Sequence, residues 1–254
     1  MAPEFAVVIF FQEMGVPHMR QLQQSAWVKR RFNLTDASSR NWLSSHYGTT
    51  TLVDRRLQID SVFRVSWHSG MGRDGLFVDI SLDNRNDPDA PPRIMRLCNT
   101  HLESLAADPP VRPVQMEAAR DILGQHNVSC AILAGDLNAI QPFDHKLHTE
   151  NKLNDAYLEI GGKEGTPGQE DSKEGHTWGY QGRSKRFGYR RMDKILYRGS
   201  LSPIKFQRIG MGIKVAKEYR EAAVLDWVSD HYGVMCDFVL SSDEQLTDPK
   251  QHGE

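Results

Sequence analysis

The sequence is short of several things, and each shortage removes a class of function. It has three cysteines in 254 residues. Cys98, Cys130 and Cys236 lie in separate apolar runs with no metal-ligand spacing between them. That argues against a structural zinc site and a disulfide framework, and favours buried free thiols in a reducing compartment. No apolar run approaches the ~20 residues that a membrane span needs. The opening, Met1-Ala2-Pro3-Glu4-Phe5, has no basic segment ahead of an apolar one, so no signal peptide is expected. Neither sign of charge is in excess: 31 Lys and Arg against 33 Asp and Glu leave a net of −2. A nucleic-acid partner would therefore have to be held by a local patch rather than by the field of the whole protein. Internal repeats and a dividing linker are also missing.

What remains is ordinary for a globular domain: 39% hydrophobic and 25% charged residues, with length for one large domain or two small ones. We read residues 1–240 as one domain and 241–254 as a disordered tail. Strands dominate. Phe5 to Phe11, Thr49 to Val53, Leu57 to Val65, Gly75 to Leu82, Ile94 to Thr100, Cys130 to Leu133, Met192 to Tyr197, Ser202 to Ile209 and Gly233 to Leu240 are rich in apolar or alternating residues. Helical spacing appears over 19–33, with Met19, Leu22, Ala26, Trp27 and Phe32, and over Val114 to Leu123 after the Pro109–Pro113 segment. Asp83 to Pro92 reads as a turn or exposed loop, 161–175 as a mobile loop, and Lys214 to Leu225 as irregular or partly helical. Strands with a few intervening helices point to a layered α/β protein with two packed sheets.

The polar residues are concentrated at strand ends. Gln12-Glu13, Asn99-Thr100-His101-Leu102-Glu103, Gly135-Asp136-Leu137-Asn138 and Ser229-Asp230-His231 each follow or flank an apolar run, and Arg191-Met192-Asp193 opens one. The sharpest is Cys130 to Asn138, an apolar strand ending in Gly-Asp-x-Asn. On an extended backbone Asp136 and Asn138 point to the same side, offering a carboxylate and an amide to a hard cation or a phosphate. Each piece alone has a plainer explanation as a turn, a surface carboxylate or a satisfied histidine. Together they form an ordered set of acid, amide and imidazole groups where a rigid sheet would present them.

That order resembles the endonuclease/exonuclease/phosphatase superfamily over residues 6–240. The pieces His101-Leu102-Glu103-Ser104, Thr177-Trp178, Arg191-Met192-Asp193-Lys194-Ile195-Leu196, and Tyr47 before the Thr49–Val53 strand are most similar to its 5′-tyrosyl-DNA phosphodiesterase branch. The resemblance implies a four-layer α/β sandwich of two packed, mostly antiparallel sheets, with a cleft at their mouth. It implies Mg²⁺-dependent hydrolysis of a phosphodiester by an activated water, with Mn²⁺ as a possible substitute. By the same resemblance Glu13 is the main metal ligand and Asp230 a second metal-side carboxylate. Asp136 orients or deprotonates the water, with Asn138 beside it on the phosphate. His231 contacts the phosphate at the transition state, Asp193 is its carboxylate partner, and His101 is a second phosphate-binding histidine. Tyr47 and Trp178 are candidates for stacking on a base or lining the groove. The partner implied is a DNA 5′ end, with no membrane, for a monomer inside the cell, in the nucleus rather than the cytoplasm.

The sequence departs from that branch in places. The family's opening strand, which ends in an Asn near the metal, should precede Ala6, so the chain reads as truncated at its N-terminus. Ala106 and Ile140 stand where the branch places an arginine and a basic residue; Arg112 is a candidate substitute. The basic stretch Arg183–Arg191 is either a phosphate track or a solvated loop. The alternatives are thus another hydrolase of the same superfamily, an endonuclease or a lipid or sugar phosphatase, and a non-catalytic remnant serving as a binding module.

Overall fold

Strands that are apolar on both faces must be covered on both sides, and the computed structural model does this in layers. It describes residues 5–82, 93–164, 173–182, 186–216 and 226–240. β1 (Val8–Met14), β2 (Phe32–Leu34) and β3 (Gly48–Asp54) form one sheet in the order β1-β3-β2. β4 (Ile59–Ser66), β5 (Asp74–Ser81), β6 (Ile94–His101), β7 (Val128–Asp136), β8 (Asn154–Asp155) and β9 (Asp193–Gly199) form a second, in the order β4-β5-β6-β7-β9-β8. β10 (Leu201–Ile209) and β11 (Gly233–Leu240) pair with each other. Among the described residues only β6 and β7 run parallel; the other pairs are antiparallel.

The two faces of β7 show how the layers are specified. Leu133 turns outward with Phe77 and Leu196 toward Met116, Ala119 and Leu123 of α3 (Arg112–Leu123). Ala134, one residue on, turns inward with Ile195 toward Phe206, Val234, Cys236 and Phe238 of the β10–β11 pair and toward Phe10 of β1. Ile9 and Phe11 of β1 face the other way, against Val28, Phe32 and Leu52. α1 (Val16–Gln24) and α2 (Ala26–Arg31) supply that outer layer through Leu22 and Val28. The order is therefore helix, sheet, sheet, helix: the expected α/β sandwich.

Some expectations change. The single helix expected over 19–33 is two, because Ser25 is extended (φ −66°, ψ 123°) and its hydroxyl donates to Gln21 O at 2.8 Å. That bond closes α1 and α2 restarts at Ala26. Trp27, expected on the apolar stripe, is exposed. Cys98 and Cys130 are buried and Cys236 half-buried, all as free thiols. Burial pushes Cys130 up to about 11 and Cys236 up to about 12, so neither is a nucleophile at neutral pH. The Asp83–Pro92 loop, the 241–254 tail and parts of the 161–175 and Lys214–Leu225 segments lie outside the described residues. No helix among the described residues is long and apolar enough to cross a membrane.

Candidate active site

Three strands of the large sheet end in one row. In the β6–β7 ladder His101 stands opposite Asp136, and in the β7–β9 ladder Asp136 stands opposite Asp193. Lateral neighbours in a sheet point to the same face, and period two puts that row on the inner face with Ala134 and Ile195. His101 Nε2 lies 3.3 Å from Asp136 Oδ2. Gly135, just before Asp136, has φ +146° and lies so close to the Thr100 carbonyl that a side chain there would overlap it. Only glycine lets β7 run this close to β6 at the point where it delivers Asp136.

His231 enters from the turn before β11. Its Nδ1 sits 2.8 Å from Asp193 Oδ2 and its Nε2 3.8 Å from Asp136 Oδ2. Burial opposes a charge on this ring, but Asp193, then Asp136 and Asp230, outweigh it and push His231 up to about 10. Burial pushes the Asp193 carboxyl upward against the attraction of His231. The 2.8 Å contact thus joins a ring held toward its charged form to a carboxyl raised by burial. Burial would also raise Asp136, yet hydrogen bonding from His101, the charge of His231 and the Asn138 N–H, 2.8 Å from Oδ1, hold it well below the usual carboxylate range. Thr177 Oγ1 accepts from the N–H groups of Met192 and Asp193, each at 3.1 Å, fixing the start of β9.

β1 brings Glu13. A bulge between Phe11 and Met14 breaks the β1–β3 register there, and Glu13 has φ +51°. Asn138 is likewise in the left-handed region at φ +48°, just past the end of β7. The extended backbone expected to align Asn138 with Asp136 is thus replaced by a turn, and the Asn138 amide donates to Leu102 O at 3.0 Å. Non-glycine residues rarely adopt this conformation, and it concentrates at functional sites. Gln12, beside Glu13, donates to Asn99 Oδ1 at 2.7 Å, and Asn99 donates to Thr50 O at 3.0 Å, tying β1 to β6 across the sandwich. Glu13, His101, Ser104, Asp136, Asn138, Asp230 and His231 all line one cleft of about 160 Å³, together with Leu105, Ile140, Trp178, Phe187 and Met192.

The donor set fits a hard cation. The Glu13 carboxylate is exposed to the cleft and has no hydrogen-bond or ion-pair partner among the described residues, although its backbone is held in a costly conformation. Asp136, Asp193 and His231 also bring ligand atoms within 4.8 Å of one another, a spacing a metal ion could bridge. His231 is already committed to Asp193, however, and a charged imidazole is a donor, not a ligand.

Of the expected contacts, Trp178 packs its ring 4.7 Å from that of His231 on the cleft wall, while the Tyr47 ring stacks 6.2 Å from that of His101. Arg112 is a correction. It is 2% exposed, and its donors go to Asp144, Gln141 and the carbonyls of Glu103 and Leu105. With every donor used inside the scaffold, it cannot replace the missing arginine. The basic stretch also divides. Arg191 is buried between Asp155 and Glu164, Arg186 and Arg190 are exposed, and Arg183 and Lys185 lie outside the described residues. Arg73, which touches His101, was not singled out from sequence, because nothing in Gly72-Arg73-Asp74 marks it.

The geometry has a counterpart among known proteins. The sequence pattern of the endonuclease/exonuclease/phosphatase family matches residues 3–231. The chain belongs to this family. Its fold is shared by a truncated Caenorhabditis elegans TDP2 (TM-score 0.64, 20% identity, covering 92% of this chain and 84% of that one). It is shared by D. rerio TDP2 complexed with single strand DNA product (TM-score 0.65, 17% identity, 91% and 85%). The Bacteroides thetaiotaomicron mannosyl-6-phosphatase Bt3783 is similar to the same degree (TM-score 0.62, 14% identity, 92% and 85%). A search of curated proteins finds no match. Family membership makes the chain a hydrolase of phosphoester bonds, and the cleft at the mouth of the sheets is where its polar residues meet.

Proposed function

We propose that this chain is a Mg²⁺-dependent phosphodiesterase acting at DNA 5′ ends, of the tyrosyl-DNA phosphodiesterase type, serving repair in the nucleus. The observation that carries the reading is the meeting of His231 and Asp136 across one cleft, Nε2 3.8 Å from Oδ2, with the ring held toward its charged form and the carboxyl toward its ionised one. Asp136 accepts a hydrogen bond from the attacking water and orients it; its low proton affinity suits orientation more than full deprotonation. His231 donates to the negative charge that develops on the phosphate, and Asp193 holds the ring in place. Asn138 and His101 flank the phosphate. Glu13 and Asp230 would hold Mg²⁺, which when bound neutralises charge on the phosphate and the leaving oxygen. The likeness to a TDP2 structure bearing a single-stranded DNA product supports the substrate class.

A second reading keeps the residues and changes the substrate to a phosphorylated sugar. The similar fold of a mannosyl-6-phosphatase favours it, as does Ile140, an apolar residue on the cleft wall where the tyrosyl-DNA branch is basic. A panel of a 5′-phosphotyrosyl oligonucleotide, a plain oligonucleotide and a hexose 6-phosphate, each with and without Mg²⁺, decides between them. Release of tyrosine alone supports the first reading; release of phosphate from the sugar alone rejects it for the second.

A further inference from the structure

Arg73 differs from the other buried arginines. Arg96, Arg112 and Arg191 each pair with a carboxylate at 2.7 Å or closer. Arg73 is 4% exposed, and among the described residues no carboxylate lies within ion-pair distance. Its Nη1 lies 2.6 Å from His101 Nδ1, its Nη2 donates to Ser104 Oγ at 2.8 Å, and its guanidinium lies over the Tyr47 ring at 5.5 Å. Among the described residues its Nε has no hydrogen-bond partner, and it is buried. Holding a charge inside a protein without a counter-charge is costly, so the arrangement calls for a reason.

A guanidinium has only donors to offer. His101 Nδ1 must therefore accept, and the ring proton sits on Nε2. That nitrogen faces Asp136 Oδ2 at 3.3 Å, as a donor to a carboxylate should. A proton on Nδ1 would set two donors against each other at 2.6 Å. The two histidines of the cleft are thus backed in opposite ways: His231 Nδ1 meets the Asp193 carboxylate, and His101 Nδ1 meets the Arg73 guanidinium.

Resting on the phosphodiesterase reading above, we propose that Arg73 is a positioning residue: it fixes the tautomer of His101, so that Nε2–H always points at Asp136 and the phosphate. Ser104 and Tyr47 hold Arg73 in place. Without Arg73 the ring can carry its proton on Nδ1 and turn a lone pair toward Asp136, where two acceptors repel.

The test is imidazole nitrogen NMR on the full-length, ¹⁵N-labelled chain, with His101 assigned by the resonances lost in His101→Gln. The wild type should show a bare Nδ1 and a protonated Nε2 at His101. Arg73→Met, of similar length but with no donor, should show a mixture of tautomers, and Arg73→Lys, which keeps a donor, should restore the wild-type pattern in part. The kcat of Arg73→Met should fall by about 10-fold to 100-fold, as when a group that orients a functional histidine is lost, with KM little changed. A proton on Nδ1 in the wild type overturns the proposal even if Arg73→Met does not fold, and so does an unaltered tautomer in a folded Arg73→Met. The NMR result needs no substrate, so a chain inactive on every phosphoester counts against the function while the tautomer is still decided.

Discussion

Asp193 Oδ2 lies 2.8 Å from His231 Nδ1, and this contact sets the charge of an imidazole whose Nε2 faces Asp136. His231 is raised from 6.5 to about 10. A raised histidine stabilises the fold fully below pH 6.5, and that contribution is lost as pH rises through about 10. Activity that depends on the charged ring should hold through neutral pH and fall near 10. In Asp193→Asn the alkaline limb of kcat should move down toward 6.5, and the thermal melting temperature should lose its drop between neutral pH and pH 10. An unmoved limb in a folded Asp193→Asn variant would show that Asp193 does not govern the ring.

Glu13, strained on the cleft wall and without a partner among the described residues, should make Mg²⁺ a stabilising ligand. At a hundred times its Kd the ion should add about 2.7 kcal/mol to folding stability. Thermal melts of the wild type with rising Mg²⁺ should shift upward, and those of Glu13→Ala should shift far less. Equal shifts in both would place the ion elsewhere.

The Arg112–Asp144 pair tests the separation of scaffold from site. Both groups are buried, with Arg112 Nε 2.8 Å and Nη2 2.7 Å from the Asp144 oxygens. Arg112→Ala strands a buried carboxylate and should cost roughly 3–5 kcal/mol in a denaturant titration. At a temperature where the variant is folded, KM should match the wild type. A raised KM with unchanged stability would return Arg112 to the substrate.

The sequence shows the strands well, because β7 can be read from its own apolar run, and it shows which polar residues cluster at their ends. It does not show register. That His101, Asp136 and Asp193 stand in one row follows from two pairings, between residues 35 and 57 apart, which no local pattern carries. The left-handed turn at Asn138 was hidden for the same reason: the conformation is imposed by the Leu102 carbonyl on a neighbouring segment. Arg112 and Arg191 looked like free cations because their buried partners, Asp144 and Asp155, are distant in sequence. Arg73 escaped notice because a lone arginine beside a glycine turn has no pattern at all.

Gly135 joins fold and site. A methyl group there would overlap the Thr100 carbonyl oxygen, a backbone atom held by the β6 ladder, at a φ of +146°. Gly135→Ala should cost about 3 kcal/mol or more, a size associated with strain at special backbone positions. Gly210→Ala, also at positive φ (+74°) but in open space, should cost much less. Urea titrations of the two variants check the contrast, and similar costs would remove the claim that the β6–β7 approach is what needs glycine.

The central claim is that Asp136, His231 and Glu13 act on a single scissile phosphoester. Single-turnover release of tyrosine from a 5′-phosphotyrosyl oligonucleotide, measured for the wild type and Asp136→Asn with Mg²⁺ or with a chelator, tests it most directly. The account predicts release by the wild type that disappears with the chelator and falls by at least about 100-fold in Asp136→Asn. Release that survives both changes, or its absence from a folded, Mg²⁺-binding wild type, would contradict it.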